Sequence, residues 1–529
     1  MNILEIFDTT LRDGTQGEGI NLSVEDKLKI ALKLDDFGIN ILEGGWPGSN
    51  PKDKEFFKQA KKVSLKQAEF CAFGSTARYP DKIDSDKNLK ALLDAETPII
   101  TIFGKTWSLH SEKCLGLNEH ENLKLIEESV SYLEKRDRRV IFDAEHFFDG
   151  YKESPSFAIK MINAAKNGGA DTIVLCDTNG GSLPSFIDAA TRDALKKCNT
   201  QLGIHVHNDG GLATANTLAA VSAGVTHVQG TINGVGERGG NASLGSILPN
   251  LILKMNEATK SKIDLEKLTS LTNFVYDVMN LRSNDQAPFV GKSSFAHKGG
   301  IHVSAVMKDS KMYEHIEPSL VGNTQRVLVS DLSGKSNIKY KAKELKIDLK
   351  DNKELAKDLV AHIKKMEYKG YQFERAEASF ELMVLRKKGV FIPYFDVVDS
   401  RVNVSYDQLG ENKTDATLKV KVNNDIEHTA ADGVGPVDAL NNALRKALLR
   451  FYPNLKKVNL TDYKVRVLNE KDGTQAKVRV LIESSDGESH WSTVGVSENI
   501  IEATWQSLSD SFNYHLMKKD NYEKRIAYV

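Results

Sequence analysis

The feature that most constrains the fold is an alternation of short β-rich runs and longer amphipathic segments along the first half of the chain. β-Branched and aromatic residues dominate the runs, as is typical of buried strands, and the segments between them repeat their apolar residues with a helical period. Strands that alternate with helices form parallel βαβ units. The pattern recurs eight times, at residues 3–7, 39–43, 69–73, 99–103, 140–144, 172–176, 203–206 and 226–231.

The segments between these runs predict helices. Ser23, followed three residues later by Asp26, resembles a capping box and predicts where the first helix begins. Eight βα units in about 240 residues match the size of a closed (β/α)8 barrel, the TIM barrel, and we expect that α/β fold. An open, doubly wound sheet of eight strands is the alternative. The clearest predicted helices span residues 24–37, 122–135, 155–167 and 213–223.

Polar side chains of the acid–base and metal-binding types follow many of the predicted strands. In a barrel the carboxyl ends of the strands meet at one rim, where such enzymes place their chemistry. A single carboxylate at a strand end is usually only a cap for the next helix, but six such ends favour a functional site. The residues concerned are Asp8, Glu43, Glu145, Asp177, the pair His205 and His207, and Asn233.

The seventh run ends in two histidines with one residue between them, His205 and His207. Residues two apart on a strand point to the same side, so both imidazoles can bind one ion at the barrel mouth. The alternative is a chance pair of polar strand residues. Asp13 follows the first strand and Asn241 the eighth, and strands one, seven and eight are neighbours in a closed barrel. We therefore predict a divalent metal site at Asp13, His205, His207 and Asn241, with positions left open for a substrate.

Three further residues near this predicted site have chemistry that an enzyme can use. Arg12 precedes Asp13 and can stabilise an oxyanion, although a structural salt bridge is its alternative role. Glu145 ends the fifth strand, where a carboxylate can shuttle a proton. Thr178 follows the sixth strand, and its hydroxyl can anchor a substrate carboxylate.

Two glycine-containing segments resemble nucleotide-binding motifs, but neither fits. Residues 234–239 match GxGxxG but follow the eighth strand rather than the first, and no acidic residue ends a further strand about 20 residues later. Residues 291–293 (GKS) lack the upstream glycine of a P-loop, because position 286 is Gln.

The second half of the chain has a different pattern. Residues 284–337 are rich in Gly, Ser, Lys and His, a helical stretch is predicted at 339–369, and from about Phe380 strands with alternating apolar and polar residues return. We expect a barrel domain at 1–280, helical linker subdomains at 281–379 and a C-terminal α+β domain at 380–529.

The C-terminal region contains an internal repeat. His428 and Gly433 recur at a constant offset as His490 and Gly495, each time after hairpin-like strands (416–422 and 477–483) and before a helix (436–450 and 498–512). Two βββα units are therefore predicted. The module is either a packing or dimerisation domain, or a domain that binds a small anion such as an amino-acid carboxylate at a symmetric pair of helix N-termini.

Composition excludes several functional classes. With 71 basic and 72 acidic residues the formal net charge is −1, so the chain lacks the positive field that nucleic acid or an anionic membrane attracts. It has no apolar run of about 18 residues and no signal-like start, and its cysteines are expected to be reduced thiols, so we expect a cytoplasmic protein. The four cysteines are Cys71, Cys114, Cys176 and Cys198.

Four motifs carry a family resemblance that covers nearly the whole chain. Residues 8–14 (DTTLRDG), 205–209 (HVHND), 233–241 (NGVGERGGN) and 300–302 (GIH) together resemble the 2-isopropylmalate synthase, homocitrate synthase and citramalate synthase family. Residues 433–439 (GVGPVDA) resemble its regulatory domain. Within the family, residues 43–53 (EGGWPGSNPKD) and 16–19 (QGEG) depart from the isopropylmalate synthase pattern and resemble the long-chain (R)-citramalate synthase branch.

The resemblance implies an acyltransferase that performs a Claisen condensation of acetyl-CoA with pyruvate, followed by thioester hydrolysis to (R)-citramalate and CoA. This is the first step of threonine-independent isoleucine biosynthesis. The family's divalent ion (Zn, Mn or Mg) lies at the counterparts of the four predicted ligands. Arg12 and Thr178 correspond to substrate-binding residues, and Glu145 and His302 to acid–base residues. The resemblance also implies a homodimer in which the partner subunit supplies Tyr313, and feedback inhibition by isoleucine.

Three alternatives remain open. The first is a 2-isopropylmalate synthase that uses 2-oxoisovalerate, and it depends on the width of the substrate pocket, for which Phe103 and Asp143 are the candidate walls. The second is an aldol-type acyl-CoA lyase, but such lyases lack the C-terminal repeat. The third is a metal- and amino-acid-binding regulator without turnover. His297, in the same cluster as His302, corresponds to no catalytic residue of the family.

Overall fold

The computed structural model of the chain describes residues 3–344, 353–406, 412–468, 473 and 475–519. The chain divides into two compact units. The first comprises residues 1–295 and 316–325, and the second comprises residues 296–315 and 326–529. Among the described helices, none combines the length and the apolar character needed to cross a membrane.

The first unit contains a closed parallel barrel. Each strand pairs with the next along the chain, β8 pairs with β1, and the pairing of Phe7 in β1 with Ile41 in β2 closes the ring. The predicted (β/α)8 barrel is thus confirmed, and the open sheet is wrong. The barrel strands are β1 (Ile3–Asp8), β2 (Ile41–Gly45), β3 (Glu69–Ser75), β4 (Ile99–Lys105), β5 (Arg139–Glu145), β6 (Thr172–Asp177), β7 (Gln201–Val206) and β8 (His227–Gly230).

The two-residue period of the strands determines which side chains face the barrel interior. In β1, Leu4 and Ile6 belong to the large core between strands and helices, whereas Phe7 belongs to a small cluster of strand residues alone. The same alternation recurs around the barrel, so that buried side chains fill its interior. The other members of the inner cluster are Ile41, Cys71, Ile99, Ile141, Val174 and Cys176.

Amphipathic helices surround the barrel. The first begins as predicted, because the Ser23 side chain accepts from the backbone N–H of Asp26 and the Asp26 carboxylate accepts from Ser23 in return. A short strand, β9 (Ala258–Thr259), adds to the beginning of β1. The helices of this unit are α1 (Val24–Phe37), α2 (Pro51–Ala60), α3 (Lys87–Asp94), α4 (Ser108–His110), α5 (Glu119–Glu134), α6 (Phe147–Glu153), α7 (Pro155–Asn167), α8 (Pro184–Cys198), α9 (Ala213–Ala223), α10 (Leu244–Pro249) and α11 (Leu268–Val278).

A buried ionic network closes the amino-terminal end of the barrel. Arg139 donates to both oxygens of Glu5 at 2.8 and 2.7 Å, His227 Nδ1 lies 3.0 Å from Glu5 Oε2, and Lys260 Nζ lies 2.9 Å from Glu5 Oε1. Burial raises the pKa of Glu5, but the hydrogen bonds and charges of His227 and Arg139 outweigh burial and hold this pKa well below its usual range. The network joins β1, β5 and β8 across the barrel.

Replacing Glu5 by Gln is therefore expected to lower the free energy of unfolding by about 3 kcal/mol at pH 7, because the buried cations lose their counter-charge. The folded-state pKa lies below the ordinary value of 4.5, so the contribution of Glu5 is present above pH 4.5 and is lost as the pH falls below it. Thermal unfolding at pH 7 and pH 4 measures the difference, with Glu69→Gln at the exposed start of β3 as the control. The reasoning would be contradicted if Glu5→Gln and the parent protein were equally stable at pH 7. It would also be contradicted if the difference between their free energies of unfolding were larger at pH 4 than at pH 7.

The second unit begins with short elements of the linker and four helices. A two-stranded parallel sheet of β10 (Ala296–His297) and β11 (Arg326–Val327) is among the short elements. The predicted helix at 339–369 is two helices, and residues 345–352 between them lie outside the described part of the chain. The return of strands at Phe380 is wrong, because Phe380 lies within a helix and the next strand begins at Asp396. The helices are α12 (Gly300–Val306), α13 (Lys335–Glu344), α14 (Lys353–Tyr368) and α15 (Glu377–Lys387).

The predicted pair of βββα units is confirmed at the end of the chain. Each unit is a three-stranded antiparallel sheet followed by a helix, and the two share one apolar core. The repeated glycines mark close packing of the helix on the last strand: a Cβ at Gly433 would lie 2.2 Å from Ala439 N, and one at Gly495 would lie 1.9 Å from Ala503 O. The elements are β12 (Asp396–Tyr406), β13 (Asn412–Val422), β14 (Asp425–Gly433), α16 (Pro436–Leu449), β15 (Asn459–Val467), β16 (Val478–Ser485), β17 (His490–Ser497) and α17 (Ile500–Lys519).

Candidate active site

Three predicted ligands meet at the carboxyl end of the barrel. His205 and His207 come at the end of β7, and Asp13 lies in the loop after β1. Asp13 Oδ2 lies 3.3 Å from His205 Nε2 and 3.7 Å from His207 Nε2, and the two Nε2 atoms are 3.4 Å apart. One candidate ligand atom from each residue lies within 4.8 Å of the others, and all three residues are buried. The two imidazoles therefore point into the barrel mouth, as the two-residue spacing predicts.

Asn241 joins this group through the loop after β8. Asn241 forms an antiparallel bridge with His207, and its Nδ2 donates to Val235 O at 3.2 Å. Glycines let the loop fold tightly: Gly236 has φ of 155°, and a Cβ there would lie 2.1 Å from Asn241 Nδ2. The glycine-rich segment that resembles a nucleotide fingerprint instead holds the Asn241 amide.

The site contains buried polar atoms that have no hydrogen-bond partner among the described residues. They include Asp13 Oδ1 and Asn241 Oδ1, together with Nδ1 of both histidines. Unsatisfied buried polar atoms are costly, and these four belong to the three residues whose candidate ligand atoms converge and to Asn241, which bridges to His207. Nitrogen and oxygen donors of this kind suit a divalent cation. The residues present therefore fit the metal that the sequence predicts, with Asp13, His205, His207 and Asn241 as its holders.

The electrostatics of Asp13 and His207 favour a cation as well, whereas at His205 the hydrogen bond and charge of Asp13 outweigh burial and raise the pKa. Burial raises the pKa of Asp13, but the charge of Arg12 and the hydrogen bond of His205 outweigh burial and keep this pKa well below its usual range. Burial, assisted by the charge of His205, lowers the pKa of His207 to about 4. Asp13 is thus anionic and His207 neutral at pH 7, which is the protonation that ligation needs.

Arg12 lies between two carboxylates beside the three ligands. Its Nε donates to Glu43 Oε2 at 2.6 Å, and its Nη1 lies 3.3 Å from Asp13 Oδ2. The guanidinium carbon stacks 3.6 Å from the centre of the Phe73 ring. The side chain is only 12% exposed, and Glu43, in the middle of β2, also accepts from the Thr9 hydroxyl. Arg12 is therefore held rigidly at the barrel mouth, and it also forms the salt bridge that was its alternative role.

Glu145 and Thr178 lie on the adjoining strand ends. Glu145 ends β5, and its Oε2 contacts the ammonium of Lys105 at the end of β4. Thr178 follows β6, and its hydroxyl oxygen accepts from His146 N at 2.9 Å. Arg238 from the loop after β8 donates to Thr178 O at 2.7 Å, which ties two rim loops together. Both predicted residues thus lie on the same rim as the three ligands.

The two candidate pocket walls have different surroundings. The Phe103 ring stacks on Phe73 with centroids 5.5 Å apart, and Trp46 meets both rings edge-on at 5.8 and 5.7 Å. Asp143 is buried in the barrel and accepts from Gln229 Nε2 at 3.2 Å. Burial, assisted by the negative charge of Glu43, raises the pKa of Asp143 to about 7. The two candidate walls are therefore an aromatic cluster and a buried carboxyl whose pKa is raised to about 7.

His302 and Tyr313 belong to the second compact unit. His302 lies on α12, and its ring stacks on that of Tyr313 with centroids 4.2 Å apart and an interplanar angle of 26°. Both side chains are exposed. The buried His297 is hydrogen-bonded through Nε2 to Glu314 Oε1 at 3.0 Å, next to Tyr313 in the chain. The assignment of His302 and Tyr313 to catalysis stays a prediction.

Three residues at the rim hydrogen-bond to other groups of the protein. Asp177 accepts from the backbone N–H and the hydroxyl of Ser182, and Asn233 donates to Thr272 O at 3.0 Å. Asp8 accepts twice from Thr10, and burial raises the pKa of Asp8 to about 7. For Asp8 and Asp177 the capping interpretation describes the contacts better than the ligand interpretation, whereas Asn233 contacts a carbonyl within α11.

Sequence reasoning missed several contributors to the site. Lys105, which pairs with Glu145, and Gln229, which donates to Asp143, carried no motif. The available signal was the two-residue period of the strands. Lys105 lies two residues after Phe103 on one strand, and Gln229 lies two residues after His227 on another. Side chains two apart share a face, so the inward face of each strand could have been followed to its end.

Three family models match the chain. The model described as HMGL-like matches residues 3–275, which is more than half of the chain. The model described as homocitrate synthase post-HMGL domain-like matches residues 289–370. The model described as LeuA allosteric (dimerisation) domain matches residues 374–516. The barrel, the linker helices and the repeated βββα units each lie within a matched region.

Curated relatives align along almost the entire sequence. The (R)-citramalate synthase of Geobacter sulfurreducens is 53% identical over 525 residues, with 99% of each chain covered. That of Aquifex aeolicus is 52% identical, with 97% of this chain and 98% of the relative covered. The 2-isopropylmalate synthase of Methanocaldococcus jannaschii is 31% identical, with 97% and 95% covered. The ligand-bearing loops, the closed barrel and this extended identity agree: the chain belongs to the (R)-citramalate synthase family.

Proposed function

We propose that this chain condenses acetyl-CoA with pyruvate and hydrolyses the thioester, giving (R)-citramalate and CoA as the first step of threonine-independent isoleucine biosynthesis. The observation that carries the proposal is the convergence of Asp13, His205, His207 and Asn241 at the barrel mouth, beside Arg12. The identity of 53% to an (R)-citramalate synthase supports the choice of reaction.

The 2-oxo acid binds at the centre of the rim. A divalent ion held by the four ligands, whether Zn, Mn or Mg, supplies Lewis-acid polarisation of a carbonyl when it is bound. The guanidinium of Arg12 is held beside the ligands and stabilises the oxygen on which negative charge develops. The Thr178 hydroxyl accepts one hydrogen bond from the backbone and keeps its own proton to donate to the substrate carboxylate.

Glu145 acts as the base that takes a proton from the methyl group of acetyl-CoA. Its carboxylate ends β5 and is partly exposed, with the Lys105 ammonium holding one oxygen. The carbanion equivalent then attacks the keto carbon, and water cleaves the thioester. His302 and Tyr313, stacked on each other, serve as proton carriers supplied by the partner subunit of a homodimer.

Free thiols at Cys71, Cys176 and Cys198 agree with a cytoplasmic setting.

The aromatic wall favours pyruvate over a larger 2-oxo acid. Trp46, Phe73 and Phe103 contact one another beside Arg12, and their bulk favours a small substituent on the 2-oxo acid. Asp143 presents a polar group that a branched alkyl chain would have to desolvate. The identity of 31% to a 2-isopropylmalate synthase leaves that activity as the second candidate.

The remaining alternatives have less support. An acyl-CoA lyase has no use for the two βββα units, which the LeuA allosteric (dimerisation) model matches at residues 374–516. A regulator without turnover has no use for Arg12 fixed between Glu43 and Asp13.

A panel of 2-oxo acids tests the proposed reaction. With a divalent ion and acetyl-CoA, we expect CoA release to require a 2-oxo acid and to have its highest kcat/KM with pyruvate. A few extra carbons in a fitted pocket change kcat/KM by about tenfold or more, so 2-oxoisovalerate should be at least that much poorer. A preference for 2-oxoisovalerate would assign the chain to the second candidate, and release without any 2-oxo acid would contradict the condensation.

Feedback control by isoleucine is the regulatory part of the proposal. A cavity of about 780 Å³ lies at the beginning of α16, lined by Gly435, Val437, Asn441 and Tyr463 among others. The first turn of a helix presents free backbone N–H groups, which suit the carboxylate of an amino acid.

We expect isoleucine to inhibit CoA release more strongly than leucine does. Val437→Trp should fill the cavity and raise the isoleucine concentration for half inhibition by about tenfold or more, which corresponds to 1.4 kcal/mol of binding. Val434→Trp is the matched control, because Val434 is 94% exposed and does not line this cavity. Indifference to both amino acids, or equal inhibition of the two variants, would contradict the regulatory proposal.

A further inference from the structure

We propose that a cation-lined cavity beside the barrel mouth binds the nucleotide end of acetyl-CoA, the adenosine bearing a 3′-phosphate and a 5′-diphosphate. The inference rests on the proposed function for the identity of the ligand. The cavity itself lies within the first compact unit, between the end of β3, the beginning of α3 and the end of β4. Its volume is about 450 Å³, and its lining includes Arg78, Tyr79, Lys82, Lys87, Lys105 and Leu115.

The cavity adjoins the reacting end of the site. Lys105 lines it and also contacts Glu145, the base of the proposed reaction. Phe103, next to Lys105 in the lining, belongs to the aromatic wall of the 2-oxo acid pocket. When the methyl group of acetyl-CoA lies at Glu145, the remainder of the molecule therefore extends into this cavity. Leu115 gives the pantetheine arm an apolar contact along this path.

The cations of the cavity are available to a ligand. Among the described residues, Arg78, Lys82 and Lys87 make no ion pair with a carboxylate. Two nearby carboxylates have partners of their own: Asp81 pairs with Lys124 at 3.0 Å, and Asp84 lies 3.8 Å from Arg136.

The one carboxylate in the lining is also occupied. Asp86 caps α3, accepting from Asn88 N and Leu89 N at 2.9 Å each, and its other oxygen accepts from Arg78 N at 3.0 Å. Backbone N–H groups thus compensate the negative charge of Asp86, and the basic side chains of the lining give the cavity a net positive field. Phosphate groups are the ligands that such a field attracts.

An exposed aromatic ring completes the cavity. Tyr79 is 51% exposed, and its ring centre lies 5.5 Å from the Arg78 guanidinium and 5.7 Å from the Lys82 ammonium. An exposed aromatic ring offers a stacking surface for a purine base, and the two cations near it can bind phosphate groups. The nucleotide of CoA combines a flat base with several phosphate groups, whereas a simple anion has no base to stack.

Reversing two charges tests the inference against a thioester without a nucleotide. For the full chain we compare kcat/KM with acetyl-CoA and with S-acetyl-pantetheine, at fixed pyruvate and divalent ion. The measured ratio is kcat/KM with acetyl-CoA divided by kcat/KM with S-acetyl-pantetheine. In the double variant Lys82→Glu/Lys87→Glu this ratio should fall about 10- to 100-fold, and the fall should be smaller at high salt. Lys87 is the first residue of α3, where a negative charge suits the helix dipole, so the substitution does not oppose folding. Lys90→Glu, on the same helix outside the cavity, should keep the ratio of the parent protein.

The outcomes separate this inference from the proposed function. A ratio that stays constant, including an equal fall with both thioesters, overturns the nucleotide site. Calorimetric titration with adenosine 3′,5′-bisphosphate gives a reading independent of turnover: the double variant should bind at least about tenfold more weakly than the parent, and equal binding overturns the inference. Absence of CoA release by the parent protein, with nucleotide binding retained, would instead overturn the proposed reaction.

Discussion

Replacing His205 by Ala is expected to abolish retention of a divalent ion and CoA release together. His205 Nε2 lies 3.3 Å from Asp13 Oδ2 and 3.4 Å from His207 Nε2, so its imidazole is central to the ligand set. Lewis-acid polarisation is worth several kcal/mol, and each 1.4 kcal/mol is a factor of ten, so kcat/KM should fall about a thousandfold or more. Metal analysis after gel filtration and the CoA-release assay with pyruvate measure the two effects.

The control for this substitution is His120→Ala, because His120 is exposed on α5. It should retain both the ion and the activity. His207→Ala should reproduce the His205 result, since the two imidazoles share one face of β7. A His205→Ala protein that holds its ion and turns over at the parent rate would remove the histidine pair from the site.

Replacing Glu145 by Gln is expected to lower kcat by about 10²- to 10⁴-fold while metal content stays at the parent level. The amide keeps the size of the carboxylate but cannot accept the methyl proton of acetyl-CoA. Because Glu145 contacts Lys105 and none of the four ligands, the loss should be confined to the chemical step. Solvent-to-substrate exchange of the acetyl methyl protons, followed by NMR with an unreactive pyruvate analogue, should disappear as well.

Glu127→Gln, on an exposed turn of α5, is the matched control and should leave kcat unchanged. A Glu145→Gln protein that retains more than about a third of the parent kcat would assign proton removal to another group. The stacked pair His302 and Tyr313 would then be the next residues to replace.

The barrel was predictable because each of its strands is buried on both faces. Such strands are continuous apolar runs, and amphipathic helices separate them clearly, as at α1 and α7. The metal ligands were predictable for a related reason. The two-residue period of β7 directs His205 and His207 to one point, and closure of the barrel brings the loop carrying Asp13 beside them.

Other parts of the molecule were not predictable from local pattern. Residues 378–385 around Phe380 are all buried, and burial on every side removes the periodicity that distinguishes a helix from a strand. The salt bridge between Arg12 and Glu43 joins the loop after β1 to β2, and the directions of both side chains depend on the closed barrel. His302 and Tyr313 come together through tertiary packing of the linker, which no spacing rule describes.

Binding of Mn²⁺ followed by electron paramagnetic resonance tests the central claim most directly. The full chain, stripped of metal and titrated with Mn²⁺, should bind a single tight ion that His205→Ala does not retain. Addition of pyruvate without acetyl-CoA should change the spectrum of the bound ion, because the 2-oxo acid enters the positions left open by Asp13, the two imidazoles and Asn241. A chain that binds no Mn²⁺, or whose spectrum is indifferent to pyruvate, would contradict the account of this site.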